Sequence, residues 1–308
     1  AGEIFKYKGM AETLEELGKT NCESFYRGAI ADAIDSYSRK TGGYLRKEDL
    51  AAYKAQWVEP ITTNYRGYDV WEIPPNGHGI VVLMALNILE GMDLSAGHDD
   101  PETAHKIMEA LKLAFTDGKR YVADPRAMKP TVEQLLSKDY AAKRRALIGS
   151  TALEPKPGTP YCGDTVYLNA ADGDGNMISY IQSIYCGFGS GTVLPGTGIV
   201  FHNRGNNFTM DETMENCVAP GKKPYHTIIP GFLSKDGKAV GPFGVMGGFM
   251  QPQGHVQVLT NMIDFHMNPQ EALDAPRWMW TGEKKISLER LYNSEMADKL
   301  TRTGHDIT

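Results

Sequence analysis

The chain has 308 residues, 41% of them hydrophobic and 23% charged, with a formal net charge of -6 and a pI near 5.8. That composition is of the soluble globular kind; it excludes disordered and collagen-like classes and offers no basic patch for a nucleic acid or a membrane surface. The expected partner is a small molecule, and no apolar run approaches the roughly 18 residues of a bilayer span, the longest being the mixed "GIVVLMALNILEGM".

In chain order, the first predicted element is "NCESFYRGAIADAIDSYSRKTGG", which sets Phe25, Ala29, Ile30 and Ile34 near helical spacing and stops on Gly42-Gly43. A short helix opens at Asp49 and Leu50. "ITTNYRGYDVWEIP" reads as two short strands about Arg66-Gly67, closed by Pro74-Pro75, and "GIVVLMALNILEGM" as an apolar helix. "DPETAHKIMEALKLAFTDGKRYVADP" places Ile107, Leu111 and Ala114 on one helical face. From Thr165 the pattern becomes strands and turns: "TVYLNAA", "MISYIQS", "GIVFHN", "HTIIPGFLS" and "AVGPFGVMG". Helical periodicity returns at "HVQVLTNMIDFHM" and "NPQEALDAPRW". Such blocks predict an α+β layered domain rather than a regular βαβ array. Residues 154–163, rich in Pro and Gly, form the one composition break, a candidate linker or processing loop just before Thr165.

The four cysteines, Cys22, Cys162, Cys186 and Cys217, form no CxxC pair, so neither a zinc site nor a disulfide scaffold is expected. Reduced thiols fit better and lean slightly toward the cytoplasm, with the compartment left open. No motif calls for a metal or a cofactor. "CGFGSGTVLPGTG" lacks both the phosphate-loop pattern and a following helix, and the glycines around Ser190 do not make a nucleophile elbow.

The chemistry concentrates at two places. If the hairpin of "TVYLNAADGDGNMISYIQS" is symmetric about Asp174, Thr165 faces Ser183, and two hydroxyls meet at one strand end. A Thr/Ser pair on a solvated edge explains the same placement. Gly247-Gly248, after the apparent strand "AVGPFGVM", lets backbone N–H groups converge as an oxyanion hole does, or simply turns a strand into a helix.

The ordered blocks "GDTVYLNAADGDGNMISY", "GFGSGTVLPGTGIVFHNR", "GKKPYHTIIPGFLSKDGK", "GGFMQPQGHVQVLTNMIDF" and "NPQEALDAPRW" resemble the γ-glutamyltransferase family, cephalosporin-acylase-like members included. "FYRGAIADAI", "GGYLRKEDLAAY" and "HKIMEALKLAFTDGKRYVADP" are similar to its large subunit. The resemblance implies an N-terminal-nucleophile hydrolase with an αββα sandwich, two packed sheets between helical layers. It implies self-cleavage between Asp164 and Thr165 into a heterodimer: 1–164 as the C-terminal part of the large subunit and 165–308 as the small subunit, both contributing to one domain. The family's first third and its C-terminal end would lie outside this sequence.

Carried over by motif, Thr165 is implied as nucleophile and base, Ser183 as the hydroxyl beside it, and Gly247 and Gly248 as oxyanion donors. The substrate positions depart from the family's pattern. In "FHNRGNNF" the transferases usually carry Gln and Asp for the substrate's α-amino group, where this chain has Arg204 and Asn207. His226 and Thr227 replace the paired serines that hold the α-carboxylate, and Tyr185 replaces a common Asn. An arginine there favours an anionic acyl tail, though Arg204 on a solvated loop is an equally simple reading. The activity expected is therefore hydrolysis of a γ-glutamyl or related acyl amide through a threonyl acyl-enzyme, with water as acceptor. The alternatives are a dedicated glutaryl or cephalosporin acylase and a catalytically silent binding protein.

Overall fold

Gly28 divides the first helical stretch in two. In the computed structural model, α1 (Lys8–Lys19) leads to α2 (Glu23–Arg27) and α3 (Ala29–Thr41), with an extended Gly28 between them at a place where a Cβ would meet the Ser24 Cα at 2.9 Å, which favours glycine. Gly42, at φ +75, ends α3 in the left-handed region that glycine adopts at least cost. A short α4 (Lys47–Ala52) follows. The structure describes residues 2–155 and 164–308, Asp164 by its backbone alone. Cys162 and the Pro/Gly-rich run through Gly163 lie outside the described residues; Cys22 and Cys217 are in no disulfide.

The helices α1–α4 form one unit, Ala1–Trp57, together with Cys186–Asn203. Its small core is Ile30, Ala31, Ile34, Leu50 and Leu194, with Ile199 and Phe201 packed against it. The remainder, Val58–Tyr185 and Arg204–Thr308, forms the larger unit.

In the larger unit, β1 (Ile61–Tyr65) and β2 (Tyr68–Glu72) pair about Arg66-Gly67, both at positive φ. α5 (Gly79–Leu89) is buried along its whole length and packs on β1, β2 and α6 (Pro101–Tyr121), which Asp100 caps by accepting from the Thr103 N–H at 2.8 Å. α7 (Val132–Leu136) and α8 (Lys138–Arg145) close over α5. Then come β3 (Asp164–Ala171), β4 (Met177–Tyr185), β5 (Gly231–Lys235), β6 (Lys238–Phe243), α9 (Met250–Ile263), α10 (Pro269–Asp274), β7 (Trp278–Gly282), β8 (Lys285–Leu288), α11 (Ser294–Arg302) and β9 (Asp306–Ile307). The strands make a sheet in the order β1-β2-β5-β6, the hairpin β3-β4, and a sheet β7-β8-β9. The hairpin meets β6, where Ser179 Oγ donates to the Phe243 carbonyl at 3.4 Å. No helix among the described residues is long and apolar enough to cross a membrane.

The α+β class is as expected, with three corrections among the strands. "GIVFHN" forms only a bridge, Val193 to Val200. "HTIIP" is a loop: its one pairing is the bridge from His226 to Gly77, and the strand waits until Gly231. β6 stops at Phe243, before "GVMG", where the chain leaves the sheet for the turn that starts α9.

Leu86 is fully buried on α5. Leu86→Ala should therefore lower the unfolding free energy by about 2–5 kcal/mol, read from urea denaturation with an unchanged slope. A loss below about 1 kcal/mol would mean that α5 is not the centre of the core.

Candidate active site

The hairpin places Thr165. From Val166↔Gln182 to Ala171↔Met177 the observed pairs follow the register expected from symmetry about Asp174. The register shifts between Asp164 and Val166, because Asp164 pairs with Tyr185. Thr165 thus sits at a bulge, opposite both Ser183 and Ile184, outside the regular ladder. Its hydroxyl donates to Ser183 Oγ at 3.3 Å, and Ser183 Oγ also accepts from the Tyr185 N–H at 3.0 Å. Thr165 is only 8% exposed, which removes the solvated-edge reading of the pair.

Tyr185 ends β4 at φ +84, an outlier for a bulky residue of the kind that persists where surrounding contacts impose it, at a cost on the order of 1–3 kcal/mol. Its ring lies 5.4 Å from the Arg204 guanidinium carbon. Arg204 begins the 3-10 turn Arg204–Asn207, is 7% exposed, and donates through Nη1 to Thr227 Oγ1 at 3.2 Å. Arg204 is therefore no solvated loop residue. Thr165, Ser183, Tyr185, Arg204 and Thr227 form one connected chain of contacts. Asn207 stands on the same turn as Arg204, and its side-chain nitrogen is buried without a hydrogen-bond partner among the described residues.

His226 sits beside Thr227, with Nδ1 accepting from the Ile228 N–H at 3.1 Å and its backbone bonded to Asn76 and His78. Burial holds its imidazole down to about 4, with the Arg204 and Lys223 charges adding to the effect. Behind it the His78 ring is fully buried against Phe115, Tyr225 and Phe249 and is pushed well below the ordinary histidine range, first by burial and then by His226 and His255. His226 and His78 thus both stay neutral at physiological pH beside the Arg204 guanidinium.

Gly247 and Gly248 turn the chain from β6 into α9, at φ +112 and +58. Their carbonyls accept from Met250 N and Gln251 N, each at 3.0 Å, so the turn is fixed to the first turn of α9. A side chain at either position is strained by the backbone alone. Phe249, the next residue, packs its ring in a tilted arrangement 6.0 Å from that of Tyr225 and so joins this turn to the His226 segment.

Two features were not read from the sequence. Lys119 of α6 lies 5.6 Å from the Phe249 ring and 5.4 Å from that of Trp280, and burial lowers it to about 8. Glu72 of β2 meets His255 of α9 through a 2.7 Å hydrogen bond with both side chains buried, and burial raises the carboxyl. Spacing carries no sign of either contact; the only cue to the second was a histidine on an otherwise buried helix.

The family model for gamma-glutamyltranspeptidase matches residues 1–308. The chain is 36% identical over 310 residues to the glutathione hydrolase-like YwrD proenzyme of Bacillus subtilis, and 34% over 311 residues to the oxamate amidohydrolase proenzyme of Klebsiella pneumoniae. Each comparison covers 99% of this chain, which spans 59% of the length of either relative. The crystal structure of cephalosporin acylase from Bacillus halodurans matches at 57% identity with a TM-score of 0.95, over 100% of this chain and 56% of that one. The fold is accordingly that of an N-terminal-nucleophile hydrolase.

The depressed His226 has a consequence for acid stability. The folded chain keeps this ring neutral down to about 4, while the unfolded chain takes up a proton near 6.5. Its contribution is therefore complete above about 6.5, declines as pH falls through that value, and levels off below about 4, for a loss on the order of 3 kcal/mol. The thermal midpoint should fall over that window, and His226→Gln should make the fall shallower. An equal fall in the variant would assign the acid sensitivity to other groups.

Proposed function

The chain belongs to the gamma-glutamyltranspeptidase family, and from that premise we propose that it is part of an autoprocessing amidohydrolase that uses Thr165 as its nucleophile. The observation that carries the reading is the Thr165 hydroxyl, buried at a strand-opening bulge and 3.3 Å from Ser183 Oγ. That the relatives are named as proenzymes supports it.

In processing, Thr165 Oγ attacks the Asp164 carbonyl carbon. The Oγ–C bond forms, the C–N bond to Thr165 breaks, and the hydroxyl proton passes to the departing nitrogen. Water hydrolyses the resulting ester, leaving a carboxylate on Asp164 and a free α-amine on Thr165. That amine, with an ordinary pKa of about 7.7–8.0, is a suitable base at neutral pH for the adjacent hydroxyl, which is too weak a nucleophile alone. In turnover the amine takes the Oγ proton and Oγ attacks the substrate's amide carbon. The N–H groups of Gly247 and Gly248 receive the developing oxyanion, and the proton goes to the leaving amine. Water then frees the acyl group. The two products of processing, one ending at Asp164 and the other beginning at Thr165, remain together as a heterodimer, because β2 of the first pairs with β5 of the second.

The substrate is a γ-glutamyl or related acyl amide, and the buried Arg204 favours acyl groups that bear a carboxylate and no α-ammonium. Guanidinium pairs with carboxylate and repels ammonium, while Asn207 presents an amide where a carboxylate would be needed to hold an amine. This favours a glutaryl-type or other dicarboxylic amide over glutathione.

Intact mass and N-terminal sequencing of the full-length protein test the first part. The smaller fragment should begin TVYL, Thr165→Ala should abolish both splitting and turnover, and Thr165→Ser should keep some of each. One uncut, inactive chain would point to a binding protein, and a smaller fragment beginning elsewhere would remove Thr165 from its role.

Asn207→Asp tests the second part. A restored charge-assisted hydrogen bond is worth about 1.5–3 kcal/mol, so kcat/KM for γ-glutamyl anilides should rise roughly tenfold or more while glutaryl anilides stay level or worsen. Equal effects on both would show that residue 207 does not face the α-amine.

A further inference from the structure

The first turn of α9 carries a buried side chain that nothing around it answers. Gln251 has no exposed surface, and neither its amide oxygen nor its amide nitrogen has a hydrogen-bond partner among the described residues. The polar residues that follow it are better provided for: Gln253 and Gln257 donate to carbonyls of β7, and His255 bonds Glu72 through Nδ1. A helical side chain leans back toward the N-terminus, so that of Gln251 leans toward Phe249 and the turn of Gly247 and Gly248. A buried amide without partners lowers stability, and departures of this kind are expected at sites that use them.

One stripe of α9 faces the hairpin. Gln251, Val258 and Met262 follow each other along it at i, i+7 and i+11. On the hairpin, Tyr167 and Asn169 of β3 share a face with Ile181 and Ser179 of β4, and Thr165 joins that face through its bond to Ser183 Oγ. Away from the glycine turn the two faces bound a cavity of about 410 Å³, lined by Tyr167 and Asn169 on one side and Val258 and Met262 on the other. Nearer the turn they are joined through the chain that leaves β6. Gly244 lies against the Tyr167 ring, where a Cβ would come within 2.5 Å, and Gly254 of α9 lies against Val245, where a Cβ would come within 2.7 Å. The cavity takes the later residues of both elements, so the earlier ones face each other at its other end. Gln251 is one turn back from Gly254 and Thr165 two residues back from Tyr167, steps of about 5 and 7 Å.

We infer that Gln251 is a positioning residue for the α-amine that self-cleavage creates on Thr165. Before the cut the Thr165 nitrogen is a peptide amide with one proton; after it, a primary amine with two protons and a lone pair. One N–H donated to Gln251 Oε1 stops rotation about the Cα–N bond and leaves the lone pair for the Oγ proton. Once the amine has taken that proton it is an ammonium, and the same hydrogen bond becomes charge-assisted, which stabilises the activated nucleophile. This inference rests on the proposal that Thr165 becomes an N-terminal nucleophile. It assigns Gln251 to turnover and not to splitting.

The test measures splitting of the full-length protein, kcat and KM of the split enzyme on whichever acyl anilide the wild type turns over, and the thermal midpoint. Gln251→Leu removes both amide atoms at similar volume, and Gln251→Met, unbranched like glutamine, is the second variant. Each should split within about twofold of the wild-type rate, while kcat falls at least tenfold and KM stays within about threefold. In a Thr165→Ala background, which stays uncut, each should keep or raise the thermal midpoint, because an unanswered amide has gone. Wild-type kcat in both variants would overturn the inference. A parallel loss of splitting and kcat, or a lower midpoint in the uncut background with both, would overturn it as well, since either marks a structural role. A rise in KM at wild-type kcat would assign Gln251 to the substrate instead. Failure of the wild-type chain to split at Thr165 would defeat the proposed function itself, and this inference with it.

Discussion

A helix as polar as α9 is cheaply buried only where its polar side chains find partners, and much of the larger unit supplies them, although the Gln251 amide and His255 Nε2 have none among the described residues. Gln251, Gln253, His255, Gln257, Thr260 and Asn261 are all buried on this one helix. Gln253 and Gln257, one turn apart, each donate to and accept from a backbone group of β7, at Trp280 and Trp278, as a neighbouring strand would. His255 bonds Glu72 at the end of β2, and Asn261 donates to the Ala272 carbonyl of α10. An unanswered buried amide costs about 1–3 kcal/mol, so these bonds fix which strand and which helix lie beside α9. The glycine turn at its start is tied to this anchored helix by the Met250 and Gln251 N–H groups.

The site inherits that rigidity and adds a polarity of its own. Arg204 is sunk between the ring of Tyr185 and the hydroxyl of Thr227, and the histidines beneath it are neutral. Arg204 keeps its charge while these rings gain none near pH 7, so the sign of the field they share does not change there. The hydroxyl pair at the hairpin's end is attached to this floor through Tyr185, whose unusual backbone carries both its N–H to Ser183 and its ring to Arg204.

The sequence made the local parts of this legible. The hairpin's register followed from its turn residues, because a two-strand unit with alternating faces has few ways to pair. The family resemblance pointed to Thr165, Ser183, Arg204 and Thr227 together, and these four share one chain of contacts. What stayed hidden was non-local. "GIVFHN" and "HTIIP" have strand composition but no strand beside them to complete a ladder, so they remain bridges. The burial of Arg204 depends on Thr227, and the Glu72–His255 pair joins residues 183 positions apart. The elements after Trp278 are short and weakly patterned, and the contacts that α9 and α6 make with them are what define them.

The smaller unit is made of two stretches that are remote in the chain. Its core joins Ile30, Ile34 and Leu50 to Leu194, and Tyr7 and Thr13 hydrogen-bond the carbonyls of Gly198 and Thr197. The sheet of the larger unit is likewise threaded, β1 and β2 from before residue 164 and β5 and β6 from after it. A cut at that point would leave each unit built from two separate polypeptides. The uncut chain folds in a unimolecular process, whereas the cut one, once unfolded, has to find its other half by diffusion and so refolds with a concentration-dependent yield. Cleavage would then act as a one-way gate: the mature assembly persists through the slowness of its unfolding and not through reversible equilibrium with its parts.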